Sequence, residues 1–67
     1  MKKYAIAWNL GSQLIQLDHL NISVGSNGTP VVGSPKEYIN SLKEASFYFK
    51  KVIALLPNHD IEIIELQ

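Results

Sequence analysis

The chain contains no cysteine among its 67 residues. This absence excludes disulfides and thiolate metal sites, so the fold must be stabilised by packing or by association with another chain. A chain of this length is predicted to form one domain, over residues 1–67, close to the lower limit for independent folding. Its hydrophobic content of 46% is ordinary for a globular protein and too high for disorder.

Arginine is also absent, because all six basic residues are lysines, and these balance six acidic residues to a net charge of zero. Arginine is the side chain that most often binds phosphate and guanine through two hydrogen bonds. A neutral chain further lacks the excess positive charge that drives nonspecific binding to nucleic acids. The composition therefore argues against nucleic acid as the partner.

A long apolar run is the third absence, since no stretch approaches the length of a membrane span. The apolar residues that follow Met1–Lys3 are interrupted at Asn9, and no signal-peptide cleavage site follows. These features predict a cytoplasmic protein with no membrane partner. The glycosylation-type sequons Asn21–Ser23 and Asn27–Thr29 are then interpreted as accidents of composition.

The N-terminal part of the chain has the pattern of β-strands. Large apolar side chains at every second position predict a strand over Lys2–Leu10. The turn-forming pair Gly11–Ser12 predicts that the next segment returns antiparallel. The segment Gln13–Val24 changes its apolar phase at Asp18–His19, which leaves three alternatives: one strand with a β-bulge, two short strands, or a short helix over part of the segment.

A second hairpin is predicted around Asn27–Gly28, because this pair tolerates both left-handed positions of a type I′ turn. It would join a strand over Ile22–Gly25 to a short strand over Val31–Gly33. At the end of the chain, alternating isoleucine and glutamate predict a last strand over Asp60–Gln67.

The longest predicted element is an amphipathic helix from Ser34 to Leu56. Ser34 has the position of an N-cap, Pro35 that of the first helical residue and Glu37 that of the third, which together form a capping box. Pro57 stops the helix, because proline cannot continue it. The buried stripe of this helix is predicted from spacings of three and four to consist of Tyr38, Leu42, Ala45, Phe49, Val52 and Leu56.

These elements, in the order β-β-β-α-β, predict an α+β fold: a small two-layer domain in which one long helix crosses a mainly antiparallel sheet. The side chains expected to share its core are Leu42, Phe49, Val52, Ile6 and Trp8. The first and last strands carry opposite charges, with Lys2 and Lys3 on one and Asp60, Glu62 and Glu65 on the other. Opposite charges favour neighbouring positions in the sheet.

The predicted helix is longer than the predicted strands. At ~1.5 Å per residue it would span roughly 33 Å, whereas a six-residue strand covers ~20 Å. Its apolar arc is also wide, with Ile39 and Ile53 on one flank and Tyr48 and Leu55 on the other. The overhang and the wide arc predict a homodimer, with Tyr48 and Leu55 at the contact.

The opposite face of the helix is predicted to carry Lys36, Lys43, Phe47, Lys50 and Lys51, so that one aromatic side chain lies among four lysines. One interpretation is a solvated basic face, since single exposed apolar residues are common. The other is a partner-binding surface with Phe47 as its anchor and the lysines as its rim. The sheet face and the sheet edges are the remaining surfaces on which a partner could bind.

No pattern of catalytic residues is found, and the chain is predicted not to be an enzyme. Gly28–Pro35 has the glycine spacing of a phosphate-binding loop, but Ser34 replaces its lysine. The histidines, His19 and His59, are interpreted as solvated turn residues, because a metal site would need His59, Asp60 and Glu62 to converge. No cofactor and no metal is therefore predicted.

The runs Gly33–Glu37 and Asn40–Ala45, together with the opening Met1–Tyr4, resemble HicB-type antitoxins. The resemblance implies three strands, a helix and a fourth strand in a degenerate RNase H-like core, and a protein that binds and occludes a toxin RNase. The expected function is that of a small protein that inhibits or masks another protein, as an antitoxin or a phage-encoded inhibitor (anti-CRISPR type included) does. The alternatives are a structural or regulatory homo-oligomer and a weak nucleic-acid-binding protein that uses the lysine face.

Overall fold

The chain folds into a three-stranded antiparallel sheet with one helix packed on it, which confirms the predicted α+β class. The computed structural model describes residues 2–31 and 33–66. The elements are β1 (Lys3–Leu10), β2 (Gln13–Leu17), α1 (Leu42–Leu55) and β3 (Ile61–Leu66). The strands lie in the order β2-β1-β3, so the first strand of the chain is the central one.

A two-residue turn joins β1 to β2, as the Gly11–Ser12 pair predicts. Leu10 lies opposite Gln13 in the antiparallel register, and Gly11 has a φ of 63°. A glycine with positive φ at the first turn position is typical of a type II′ turn, whose twist matches that of the flanking strands.

Strand β3 pairs antiparallel with β1, which confirms the adjacency that the opposite charges favoured. The register runs from Lys3 opposite Leu66 to Trp8 opposite Ile61. Lys2 Nζ lies 3.8 Å from Glu65 Oε1, with both side chains largely exposed. An exposed ion pair contributes at most about 1 kcal/mol, so this pair favours the register rather than maintaining the fold.

The helix begins seven residues later than predicted, at Leu42. Its N-cap is Ser41, whose backbone is extended and whose Oγ accepts a hydrogen bond of 3.1 Å from the Glu44 amide. The Ser41 hydroxyl also donates to Glu44 Oε1 at 3.4 Å. The chain thus contains two Ser-x-x-Glu sequences, and the prediction that Ser34 caps the helix is wrong.

The buried residue Ile39 explains why the later capping box is used. Ile39 exchanges two backbone hydrogen bonds with Tyr4, of 2.8 and 2.9 Å, and is only 2% exposed. Strand β2 pairs with β1 only from Ile6 onward, so the start of β1 would otherwise have an unpaired edge. An extended backbone at Ile39 satisfies that edge and fills the core, and a helix through this residue would lose both interactions.

The helix is 14 residues long and therefore spans about 21 Å, close to the length of the strands. The predicted overhang is absent, and the argument for a homodimer that depended on it no longer holds. The predicted C-terminus is confirmed: the cap residue is Leu56, its amide donates to the Val52 carbonyl at 2.9 Å, and Pro57 follows.

The segment between β2 and the helix is less regular than predicted. Strand β2 ends at Leu17, and the second hairpin has a single bridge between Val24 and Pro30. Its turn is present, but Gly28 alone in it has a positive φ, of 83°, so it is not the predicted type I′ turn. The Gly28 amide instead donates to the Gly25 carbonyl, as in a type I turn followed by a glycine bulge. Met1, Val32 and Gln67, the last two of which were predicted to lie in strands, lie outside the described residues.

The core lies between the helix and the face of the sheet that carries Ile6. Ile6 and Val52 are buried as predicted, and Trp8 and Phe49 are half-buried against the core. Leu42 is 56% exposed, so its predicted place in the core is wrong. At ~100° per residue it lies on a flank of the helix, beside the buried row of Ala45 and Val52 rather than in it. The fully or nearly fully buried residues of this cluster are Ile6, Leu17, Ile39, Ala45, Val52, Leu56 and Ile61.

Candidate functional site

The predicted lysine face is not a single surface. Lys36 lies before the helix, in the segment that leads to Ile39, and is therefore not part of any helix face. Lys43 and Lys50 are exposed and, at ~100° per residue, lie roughly opposite the buried Val52. Of the four lysines, Lys51 has an aromatic contact with Phe47, and this pair lies on one flank of the helix.

This flank, together with the turn that follows β2, forms a groove. Its volume is about 410 Å³, and it is open to solvent. The groove is lined by His19, Leu20, Ile22, Phe47, Tyr48, Lys51, Val52 and Leu55. It thus includes Phe47 and Lys51 from the predicted partner-binding set, and Tyr48 and Leu55 from the predicted dimer contact.

A local turn at Asp18 brings the other wall of the groove against the helix. Asp18 Oδ1 accepts a hydrogen bond of 3.2 Å from the Leu20 amide, and the Asp18 carbonyl accepts one of 3.0 Å from the Asn21 amide. An aspartate that bonds to the backbone two residues on is a common turn former. The change of apolar phase at Asp18–His19 is therefore a turn. None of the three alternatives for this segment is observed, since β2 ends at Leu17 and the rest of the segment has only the isolated bridge at Val24.

Three aromatic rings form a row along the groove: His19, Tyr48 and Phe47. The His19 and Tyr48 rings are 4.5 Å apart and the Tyr48 and Phe47 rings 5.4 Å apart, both in edge-to-face geometry. Lys51 Nζ lies 4.4 Å from the centre of the Phe47 ring. Edge-to-face aromatic pairs and a cation over a ring are both favourable contacts. The three rings therefore support one another and form one wall of the groove.

The rim of the groove is apolar and exposed. Leu20, Phe47 and Leu55 each expose more than half of their surface, although their neighbours Tyr48 and Ile22 pack against the core. Large apolar side chains around an open cleft, with a single lysine among them, are typical of surfaces that bind other proteins. Chemically, the groove can take up an apolar side chain and pair its neighbour with an ammonium group.

Sequence reasoning did not find the contribution of His19, Leu20 and Ile22. The alternatives for Gln13–Val24 did not bring these residues to the helix, and the histidines were interpreted as solvated turn residues. Instead, His19 and His59 are half-buried, and the Nδ1 atom of each is buried with no hydrogen-bond partner in the described chain. Both rings pack edge-to-face on aromatic neighbours, with His59 5.5 Å from Trp8. Asp18 was the available signal for the turn, because aspartate often bonds to the backbone amide two residues later.

A second groove of about 400 Å³ lies between β2 and the segment that was predicted to start the helix. Tyr38 forms part of it, and Lys3 Nζ lies 5.8 Å from the Tyr38 ring. Its other lining residues are Leu14, Ile15, Gln16, Gly33, Ser34 and Pro35. Because four of its seven lining residues are glycine, serine, proline and glutamine, the second groove has fewer large apolar side chains than the first.

Residues 2–31 and 33–66 contain no group of three or more histidine, cysteine, aspartate or glutamate side chains that could hold a metal ion. Within the same ranges no helix is long and apolar enough to cross a membrane. Comparison of the chain with models of known families, with curated proteins and with solved structures finds no match. The candidate site is therefore argued from its geometry.

Proposed function

We propose that this protein is a small non-enzymatic binding module that inhibits or masks a partner protein through the groove between α1 and the turn after β2. The observation that carries this proposal is the exposed apolar rim of Leu20, Phe47 and Leu55 around an ordered aromatic wall. Exposing three large apolar side chains side by side is unfavourable in water, and a partner that covers them removes this cost.

The groove also suggests the chemistry of the partner. An apolar side chain would enter between Leu20 and Leu55, and Phe47 would act as the central anchor of this protein. Lys51 lies over the Phe47 ring, so a carboxylate next to the inserted side chain would meet an ammonium group that is already positioned. The expected partner surface is therefore acidic and partly apolar.

Such a module fits the class of cytoplasmic antitoxins and phage-encoded inhibitors, including those of anti-CRISPR type, because these proteins need a surface rather than a catalytic site. The resemblance of the chain to HicB-type antitoxins points to a toxin RNase as one partner of this kind. A nucleic-acid role is less favoured, because the chain has no arginine and a net charge of zero, and Lys36 lies before the helix rather than with the other three lysines of the predicted face.

The decisive experiment measures how tightly three single variants bind the partner, which is first captured from the native host with the parent protein. Phe47→Ala is expected to weaken binding by about 2 kcal/mol or more, roughly 30-fold, with little change in stability because the ring is exposed. Lys51→Ala is expected to slow association and to reduce its salt dependence. Lys50→Ala is the matched control, since this neighbouring lysine is also exposed but lies outside the groove.

The same variants distinguish a nucleic-acid function. Binding of single-stranded RNA would depend about equally on Lys43, Lys50 and Lys51 and would fall steeply with salt. If Phe47→Ala and Lys51→Ala bind the captured protein as tightly as the parent does, the groove is not the working surface and the proposal is wrong.

A further inference from the structure

The outer edge of β3 is unpaired in the part of the chain that the structure describes. Strand β3 lies at one end of the sheet, and neither isolated bridge involves it. Tyr4 exchanges its backbone hydrogen bonds with Ile39, on the side of β1 away from β3. The alternation along an antiparallel pair then directs the backbone groups of Ile61, Ile63 and Glu65 outward. This edge has no proline, and its charged residues are Glu62 and Glu65, so strand addition requires a register that keeps these carboxylates apart.

The helix flank above this edge carries an apolar row that is bordered by Lys43 and Lys50 on its solvent side. At ~100° per residue, Leu42, Ser46, Phe49 and Ile53 form one row along the helix, on the side opposite the row that lines the groove. The groove faces the turn after β2, at the far end of the sheet, so this second row faces β3. Leu42 and Ile53 are among the exposed large hydrophobic residues, and Ser46 and Phe49 are half-buried.

We propose that a second copy of this chain docks on this surface, with its β3 antiparallel to the first β3 and its helix antiparallel to the first α1. The result is a continuous six-stranded sheet with two helices on the same face. This proposal is independent of the proposed function, since the groove lies on the other flank of the helix and stays open in the dimer. It also assigns the contact to residues other than Tyr48 and Leu55.

The surface is self-complementary, which favours a second copy over an unrelated partner. A twofold axis near the middle of the helix brings Leu42 of one copy to Ile53 of the other and Ser46 to Phe49, so each large side chain meets a different residue. The small Ser46 near the centre allows the two helices to approach closely, and no charged side chain in the row opposes this approach.

The charges of β3 select one register. With Ile63 opposite Ile63 of the second copy, Glu62 faces Ile64 and Glu65 faces Ile61, so no two carboxylates are directly opposed. A register that places Glu62 opposite Glu62 of the second copy would bring two carboxylates together. In the favoured register Ile61 lies opposite Glu65 of the second copy and Ile63 opposite Ile63. The outward backbone groups of the two strands therefore face each other and can form hydrogen bonds.

The size of the surface sets the expected strength. Strand β3 has six residues and is ~20 Å long, and the strand and helix layers together are ~20 Å high, which gives ~400 Å² per copy. A standard stable interface buries about 800 Å² per partner. The dimer is therefore expected to be weak and to form only at high protein concentration.

Two matched leucine variants test the helix contact. Leu42→Gln removes an apolar side chain that occurs twice in the interface, and sedimentation equilibrium should show dimerisation weakened at least about tenfold. Leu55→Gln is the control, because Leu55 is 54% exposed and Leu42 56% exposed, but Leu55 lies on the groove flank. Glutamine carries no charge, so neither change acts through the helix dipole.

Amide hydrogen exchange tests the strand contact separately. The Ile63 and Glu65 amides should become more protected as the concentration rises, whereas the Leu14 and Gln16 amides on the outer edge of β2 should not. Three outcomes would overturn the proposal: a monomer up to about 1 mM, an equal loss of dimerisation with Leu55→Gln, or protection on β3 that does not depend on concentration. Partner binding through the groove should be retained by Leu42→Gln, so failure of the dimer does not affect the proposed function.

Discussion

The two Ser-x-x-Glu sequences offer a direct test of how the helix begins. Replacing Ser41 by alanine removes the Oγ that accepts the Glu44 amide at 3.1 Å and leaves that amide without its capping partner. Replacing Ser34 by alanine changes an exposed residue in the irregular segment that precedes the helix. The sequence pattern alone predicts the opposite ranking, because Ser34 is followed by a proline at the first helical position.

The size of the effect follows from the cap. Loss of an N-cap serine costs about 1 kcal/mol, and the second hydrogen bond, from Ser41 to Glu44, is long at 3.4 Å and adds little. With 67 residues, unfolding releases roughly 140 cal/mol/K of entropy at ~2.1 cal/mol/K per residue. Ser41→Ala should therefore lower Tm by about 7 °C, and Ser34→Ala by less than about 2 °C.

Thermal unfolding followed by circular dichroism at 222 nm measures both values, and urea unfolding should give the same ranking. The two variants are compared at one low protein concentration, so that self-association does not contribute to Tm. If Ser34→Ala destabilises the protein as much as Ser41→Ala, the helix begins at Ser34 in solution, and the pairing of Ile39 with Tyr4 does not decide where it starts.

Two further pairs of variants test the core and the first turn by urea unfolding. Leu17→Ala, at a fully buried site on β2, should cost about 2–5 kcal/mol, whereas Leu14→Ala on the same strand, where the side chain is 52% exposed, should cost less than ~1 kcal/mol. A larger loss with Leu14→Ala would mean that β2 presents its other face to the core, and equal losses would mean that both side chains are buried. Gly11→Ala should cost about 1 kcal/mol or more because φ is 63° there, while Gly33→Ala, with no neighbour near the added carbon, should be neutral or slightly stabilising. A neutral Gly11→Ala would contradict the type II′ turn.

Local chemistry determined several parts of this fold. Glycine at the first turn position is favoured by its freedom at positive φ, so the β1–β2 hairpin could be predicted from Gly11–Ser12. The end of the helix could be predicted because Pro57 cannot continue it. The α+β class followed from the two kinds of periodicity, which depend on the geometry of the backbone itself. In each case the interactions lie within a few residues or follow directly from the pattern.

The tertiary structure decided where the helix starts and what the groove contains. Both capping boxes are locally sound, and the choice between them depends on Ile39, whose burial and pairing with Tyr4 involve residues 35 positions apart. The groove likewise depends on a turn at Asp18 that brings Leu20 to the same groove as Phe47. No periodicity along the chain predicts that these two residues lie close together. Phe47 and Lys51 were found from the helical repeat, because they lie one turn apart on the same element. Where the local preferences of two sites are equal, as for the two capping boxes, long-range pairing and burial decide between them. These interactions form only when the chain folds.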